Sequence, residues 1–165
     1  MAAVAAVLRV VANEPELLFI KRAIVEHDPW SGHIAFPGGR AEPGDLTLED
    51  TAVRETREEL SLDLTQGAFL GRLDDLAPRS RSLPPIIVRP YVAVVAANVR
   101  FVPSREVAAT FWMPLRSLRD PSMQDQHVVE VNGVSAFFPA YRIEEHLVWG
   151  LTERIVRQLL LLMDS

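Results

Sequence analysis

Three glutamates lie within five positions of one short charged segment, and their spacing suits the binding of a cation. The segment reads RETREEL and contains Glu55, Glu58 and Glu59. On an α-helix, residues at i, i+3 and i+4 share a face, with neighbouring Cβ atoms about 5–6 Å apart. Carboxylates this close repel one another, and a divalent cation such as Mg²⁺, which prefers oxygen ligands, offsets that repulsion. The pattern alone is also typical of a solvated helix face, in which Arg54 and Arg57 balance part of the charge.

A glycine-rich loop leads directly into this segment. The loop reads FPGGRAEPGD and contains three glycines and two prolines, and a helical pattern follows from Thr47 to Leu60. Such a loop brings backbone N–H groups near a phosphate and fixes the direction in which the chain enters the helix. Loop and helix together predict a site that holds a metal ion and a pyrophosphate at once.

The elements that must position this site alternate between strands and two helices. Apolar runs bounded by turn residues predict the strands, and Asn132-Gly133 predicts a hairpin turn. The predicted strands are 4–12 and 16–22, joined by a turn at NEPE, and the segments HIAF, AFLGRLDDL, IIVRPYVAVVAANV, 111–113, HVVEV and SAFFPAY. The last helix is predicted from about Glu145 to Met163. This order favours an α/β fold, with a mixed sheet between helices in one domain over residues 1–165.

Composition excludes several classes of protein. The 165 residues are 48% hydrophobic, which argues against a disordered chain, and the net charge of −5 argues against broad nucleic-acid binding. The chain has no cysteine, so disulfides, thiolate metal sites and thiol catalysis are excluded. The apolar run at the N-terminus ends near Ala12 and lacks a positively charged leader, which argues against a signal peptide or a membrane span. We therefore expect a cytoplasmic protein.

The residues from Gly39 to Leu62 resemble the Nudix box, whose pattern is G-x5-E-x7-R-E-U-x-E-E-x-G-U, with U an aliphatic residue. Arg54 and Glu55 fall on its R-E positions, and Glu58 and Glu59 fall on its E-E positions. Agreement over such a span is highly specific.

The match departs from the box at four points. Asp45 stands where the box has Glu, and the gap from Asp45 to Arg54 is one residue longer than the box allows. Thr56 replaces an aliphatic residue. Ser61 replaces the glycine that normally ends the helix, a position where a left-handed conformation is easiest for glycine.

Two of these departures resemble the coenzyme A pyrophosphatase branch of the family, in which GD and a longer spacer precede a run like TAVRE. The segments LLFIKR and GHIAFPGG also resemble upstream motifs of that branch. In the second motif His33 replaces Gln, and Trp30 stands where a His is often found.

The resemblance implies a Nudix-type α/β/α sandwich that hydrolyses a nucleoside diphosphate linked to another moiety, using Mg²⁺ or Mn²⁺. In the coenzyme A branch the products are 3′,5′-ADP and 4′-phosphopantetheine. A CoA-like nucleotide is then the expected partner, without nucleic acid or membrane, and a homodimer fits the family. One alternative is a Nudix hydrolase of another substrate, such as ADP-ribose or a modified nucleotide. Another is a non-catalytic Nudix domain that senses a nucleotide, although such domains usually lose the glutamates retained here.

The resemblance also implies roles for the residues of the box. Glu58 and Glu59 are expected as the main metal ligands, and Glu55 as a further ligand or as the base that orients water. Gly39 is expected to offer its backbone carbonyl to the metal. Arg54 is expected to orient a carboxylate through a salt bridge, because a bidentate pair fixes geometry.

Residues outside the helix complete the predicted site. Glu106 is a candidate extra metal ligand or catalytic base, with a solvated loop residue as the alternative. The candidates for substrate binding are Arg22, His33, Gly38 and Arg40. Arg79 and Arg81, in the loop APRSRSLPP, are weaker candidates for contacting the 3′-phosphate. The remaining histidines lack metal-ligand spacing and are interpreted as structural or exposed: His27, His127 and His146.

Overall fold

The computed structural model describes residues 1–165 and contains ten strands and three α-helices. The strands are β1 (Ala2–Val11), β2 (Glu14–Arg22), β3 (Ile34–Ala35), β4 (Gly38–Arg40), β5 (Ala68–Arg72), β6 (Val88–Val94), β7 (Val107–Pro114), β8 (Gln124–Val131), β9 (Val134–Ile143) and β10 (His146–Trp149). The helices are α1 (Leu48–Leu60), α2 (Leu115–Leu118) and α3 (Gly150–Met163). No helix is both long enough and apolar enough to span a bilayer.

Seven strands form a mixed sheet centred on β1. This strand pairs in parallel with β6 along one edge. Along its other edge it pairs antiparallel with β4 through Ala2–Val4 and with β2 through Leu8–Val11. β7 extends the sheet beyond β2, and β5 extends it beyond β6. The glycines of β4 are thus held beside the first residues of the central strand.

Side chains alternate between the two faces of this sheet and build a separate core on each. On β2, Leu18 and Ile20 pack in the core that also contains Ala52 and Leu60 of α1. The intervening Leu17 and Phe19 pack in the core that contains four residues of α3, which are Ile155, Val156, Leu159 and Leu160. Because strand side chains point to opposite faces in turn, continuous apolar strands place one helix on each side. The predicted α/β/α sandwich is confirmed.

A second, three-stranded sheet in the order β10-β9-β8 was not anticipated from the sequence. Its hairpin turns at Asn132 and Gly133, whose φ angles are 53° and 76°, as the sequence predicts. The turn between β1 and β2 lies at Ala12 and Asn13, so it begins one residue before the predicted NEPE turn, and both residues have positive φ.

Several predicted boundaries were wrong, and two strands, β4 and β10, were missed. The last helix begins at Gly150 and not near Glu145, because residues 146–149 form β10 and pair antiparallel with β9. The GGR segment, predicted as loop, forms β4 through its pairing with β1. Both errors involve short segments whose strand partners lie elsewhere in the chain.

Candidate functional site

Helix α1 begins and ends through side chains and backbone angles that its sequence specifies. Thr47 caps the first turn, since its hydroxyl accepts a hydrogen bond from the Asp50 N–H and the Asp50 carboxylate accepts one from the Thr47 N–H. At the other end Ser61 is left-handed, with φ of 53°, and its N–H donates to the Arg57 carbonyl. Serine therefore takes the role that the box gives to glycine. The glutamate-bearing helix is fixed at both ends.

Glu59 faces inward from α1 and is 5% exposed. Its Oε1 accepts a hydrogen bond from the Gly38 N–H at 3.3 Å. Burial raises the pKa of Glu59 to about 8, because desolvation disfavours the charged carboxylate more than the Gly38 bond favours it. A Cβ at Gly38 would overlap the Ala3 backbone carbonyl, so glycine is required for β4 to lie this close to β1.

Glu55 lies directly over Gly39. A Cβ built at Gly39 would stand 2.5 Å from Oε1 of Glu55, so only glycine leaves this carboxylate its position beside the backbone. The Glu55 side chain is 15% exposed. Its pKa is raised, first by burial and with smaller contributions from Glu58 and Glu106, while Arg54 opposes the rise.

Arg54 connects the loop to the helix. Its Nε and Nη2 donate to the two oxygens of Asp45 at 2.9 and 3.0 Å, forming a bidentate pair. Its Nη1 donates to Glu55 at 2.9 Å and to Glu58 at 3.2 Å, and Nη2 also donates to the Arg40 carbonyl. Hydrogen bonding from Arg54 holds the pKa of Asp45 well below its usual range. Asp45, which replaces the first Glu of the box, therefore holds the side chain of Arg54 in place.

The three glutamates share a helix face, but their carboxylates do not converge. The Glu58 side chain is 54% exposed and turns to Arg54. No three acidic or histidine side chains are close enough together to hold a metal ion as they stand.

Two residues predicted outside the box lie near the inward-facing glutamates. The negative charge of Glu106 contributes to the raised pKa of both Glu55 and Glu59. The positive charge of Arg22 acts on the pKa of Glu59 in the opposite direction. Arg22 pairs with Asp28 through Nη2 at 2.9 Å, and its buried Nε has no hydrogen-bond partner.

A cavity of about 830 Å³ joins most of the predicted residues. Its lining includes eight of them, which are Arg22, His33, Gly38, Gly39, Arg40, Glu55, Glu59 and Glu106. Arg54 and Glu58 are not part of the lining, and of the two loop arginines only Arg79 is. The volume lies in the upper part of the range of about 300–1,000 Å³ that is usual for small-molecule sites.

An aromatic cluster that joins the second sheet to the loop before β3 forms one wall of this cavity, and only its member His33 was predicted as a site residue. Its centre is Trp149, whose ring lies 4.0 Å from that of His127, 5.5 Å from that of His33 and 5.8 Å from that of Phe138, between centroids. All four residues line the cavity. Burial lowers the pKa of His33, and the neighbouring His127 and Arg22 lower it further. No local motif marks the cluster, because its members come from four separate segments.

Two arginines of α3, Arg154 and Arg157, also line the cavity. No role was predicted for these two positions from the sequence. The packing of α3 on the sheet, which no local pattern specifies, brings them to the cavity.

Comparison with known proteins identifies the fold. The NUDIX domain family matches residues 1–131. The chain is 34% identical over 149 residues to an uncharacterized Nudix hydrolase, NudL, of Yersinia pestis, covering 88% of this chain and 71% of the relative. A C. elegans Ap4A hydrolase binary complex superposes with a TM-score of 0.59 and 23% identity, covering 71% of this chain and 81% of that one. The NUDIX domain of Shewanella oneidensis NrtR, complexed with ADP ribose, gives a TM-score of 0.55 and 18% identity, covering 72% and 74%.

Proposed function

The chain belongs to the Nudix hydrolase family, and on this premise we propose that it cleaves the pyrophosphate of coenzyme A or an acyl-coenzyme A. Water attacks one phosphorus atom and the bridging P–O bond breaks, giving 3′,5′-ADP and 4′-phosphopantetheine or its acyl form. The observation that carries the proposal is the single cavity that contains Glu55, Glu59 and the Gly38-Gly39 backbone at one part of its wall. The same cavity is large and extends along an apolar and aromatic wall, as a long substrate requires.

The chain offers an all-oxygen donor set for Mg²⁺ or Mn²⁺. The proposed ligands are the carboxylates of Glu55, Glu58 and Glu59 and the backbone carbonyl of Gly39. Hard divalent cations prefer such oxygen donors, and the buried Glu59 carboxylate gains a positive partner. Glu58 would join this set by turning away from Arg54, and its side chain is 54% exposed. When bound, the cation neutralises pyrophosphate charge and makes a water molecule more acidic.

The chain's own residues position the reaction. Arg54 donates hydrogen bonds to Asp45 of the loop and to Glu55 of α1. It therefore fixes the loop relative to Glu55 and acts as a positioning residue. Either Glu55 or Glu106 accepts the proton of the attacking water, since burial raises the pKa of Glu55 and Glu106 lies beside it in the cavity wall.

The coenzyme A assignment is supported by the branch-specific motifs together with their positions. Arg22, from LLFIKR, and His33, from GHIAFPGG, both line the cavity. Their substrate-facing roles, with those of Gly38 and Arg40, are part of this proposal. The substitutions at Trp30 and His33 favour a second candidate, a Nudix hydrolase of ADP-ribose or another nucleotide, because both residues also line the cavity.

The test is hydrolysis of coenzyme A and of ADP-ribose, each with Mg²⁺ and then Mn²⁺, with products resolved by chromatography. Release of 3′,5′-ADP from coenzyme A is the expected result. Turnover of ADP-ribose without turnover of coenzyme A would refute the coenzyme A assignment and retain the hydrolase. Binding of a nucleotide without hydrolysis in the presence of either metal would support a non-catalytic sensing domain.

A further inference from the structure

Three arginines converge on one part of the cavity wall, in surroundings that differ from those of the glutamate site. Arg154 and Arg157 belong to α3, which packs on the opposite face of the main sheet from α1. Arg79 lies in the loop between β5 and β6. All three line the cavity, together with the hydroxyl-bearing Ser80 and Ser82 of the same loop.

Only one carboxylate balances these arginines. Glu153 is 5% exposed, and its Oε2 accepts a hydrogen bond from Arg157 at 3.3 Å. Arg154 instead donates to the Ala77 backbone carbonyl at 2.7 Å. Three guanidinium groups against one carboxylate leave an excess of two positive charges in this part of the cavity.

This excess is unfavourable without an anion. Burial lowers the pKa of Arg154, and the charges of Arg79 and Arg157 lower it further, whereas Glu153 alone opposes them. Like charges that share a partly desolvated cavity focus a positive potential into it and attract an anionic ligand.

We propose that Arg79, Arg154 and Arg157 form a subsite for a phosphate monoester of the substrate, distinct from the pyrophosphate that is cleaved. This inference rests on the proposed function, because it assumes that the cavity takes a nucleotide. A phosphate monoester carries about −1.5 to −2 charges at pH 7, which matches the excess of two positive charges. Guanidinium groups bind phosphate oxygens through paired N–H donors, and the Ser80 and Ser82 hydroxyls add further donors. In coenzyme A the ribose 3′-phosphate is such a group.

The kinetic test compares coenzyme A with dephospho-coenzyme A, which lacks only the 3′-phosphate. The wild-type protein should favour coenzyme A by about 10-fold or more in kcat/KM, as is usual for hydrogen bonds to a charged group. Arg79→Gln and Arg157→Gln should each reduce this preference by about 10-fold. Arg116→Gln is the matched control, because Arg116 is exposed, pairs with Glu14 and lies outside the cavity lining. Thermal unfolding of each variant verifies its fold.

Direct binding separates this inference from the proposed function. Calorimetry with 3′,5′-ADP and 5′-AMP should show tighter binding of the bisphosphate, and Arg79→Gln should remove most of the difference. If coenzyme A is not hydrolysed but this difference appears and depends on Arg79, the proposed function fails and the subsite stands. If the two nucleotides bind equally, or the arginine variants leave the difference unchanged, the subsite is refuted even when coenzyme A is hydrolysed.

Discussion

Replacement of Arg54 by Lys tests whether one guanidinium holds the site together. Arg54 makes five hydrogen bonds, two to Asp45 and one each to Glu55, Glu58 and the Arg40 carbonyl. Lysine keeps the positive charge but has three donors at a single nitrogen and cannot form the bidentate pair with Asp45. The substitution therefore separates the geometry of the network from its charge.

The expected loss follows from the bonds that lysine cannot make. At least two of the five are lost, and a hydrogen bond to a charged group contributes roughly 1.5–3 kcal/mol to stability. The Arg54 side chain is 21% exposed, so the lower value applies and the loss is about 3 kcal/mol. In a domain of this size that loss lowers Tm by roughly 6–12 °C. Because Glu55 is no longer held, kcat should fall by about 10–100-fold, as for other residues that orient metal ligands.

The assay combines thermal unfolding with hydrolysis of coenzyme A. Arg57→Lys is the matched control, since Arg57 is on the same helix but is 55% exposed and pairs only with Asp63. The control should change Tm by less than about 2 °C, as expected for an exposed ion pair. If Arg54→Lys matches the control in both Tm and kcat, the positioning role of Arg54 is refuted.

Three further results are expected. Gly39→Ala should lower kcat by about 10–100-fold, because the added Cβ displaces the Glu55 carboxylate. Gly44→Ala is the control and should leave kcat unchanged, because a Cβ at Gly44 has no atom within 4 Å. Equal effects of the two substitutions would contradict the proposed geometry. Mg²⁺ or Mn²⁺ at about 100 times its Kd should stabilise the fold by about 2.7 kcal/mol and raise Tm by roughly 5–11 °C. Chelation of the metal should reverse this rise, and an unchanged Tm would count against a metal site. Burial lowers the pKa values of His33 and His127 from 6.5, so the folded state favours their neutral rings. Their contribution to the free energy of unfolding is therefore full above about pH 6.5 and is lost as the pH falls. Denaturant unfolding of the wild type and of the His33→Gln, His127→Gln double variant between about pH 5 and about pH 7.5 should show this loss as the difference between the two curves, because the raised pKa of Glu59 gives both proteins the same opposite pH dependence. Identical pH dependences would exclude these rings as its source.

Local chemistry made α1 predictable from the sequence. The helix was predicted from Thr47 to Leu60 and is observed from Leu48, with Thr47 as its cap. Its capping residues, apolar stripe and glycine-rich approach all act within a few positions of one another, so a single sequence contains their signals. The left-handed conformation of Ser61 also follows from its place at the helix end.

The parts that were missed depend on contacts between distant segments. HLVW, read as the start of the last helix, becomes β10 only because it pairs with β9. Short apolar runs do not distinguish a strand from a buried helix by periodicity. His127 packs against Trp149, and Arg79 and Arg154 line one cavity, only after the second sheet and α3 pack over the main sheet. These contacts assemble the far side of the cavity, and no spacing in the sequence encodes them.

The central claim is that the carboxylates of α1 hold a divalent cation against a pyrophosphate. Its most direct test is kcat for coenzyme A hydrolysis by Glu58→Gln at saturating Mn²⁺, with Tm of the variant and of the wild type recorded without metal. We predict a fall in kcat of at least about a hundredfold with little change in Tm, because an interaction with the transition state is lost while repulsion within the helix is relieved. A kcat within about twofold of the wild-type value would contradict the claim and leave the glutamates as a solvated helix face.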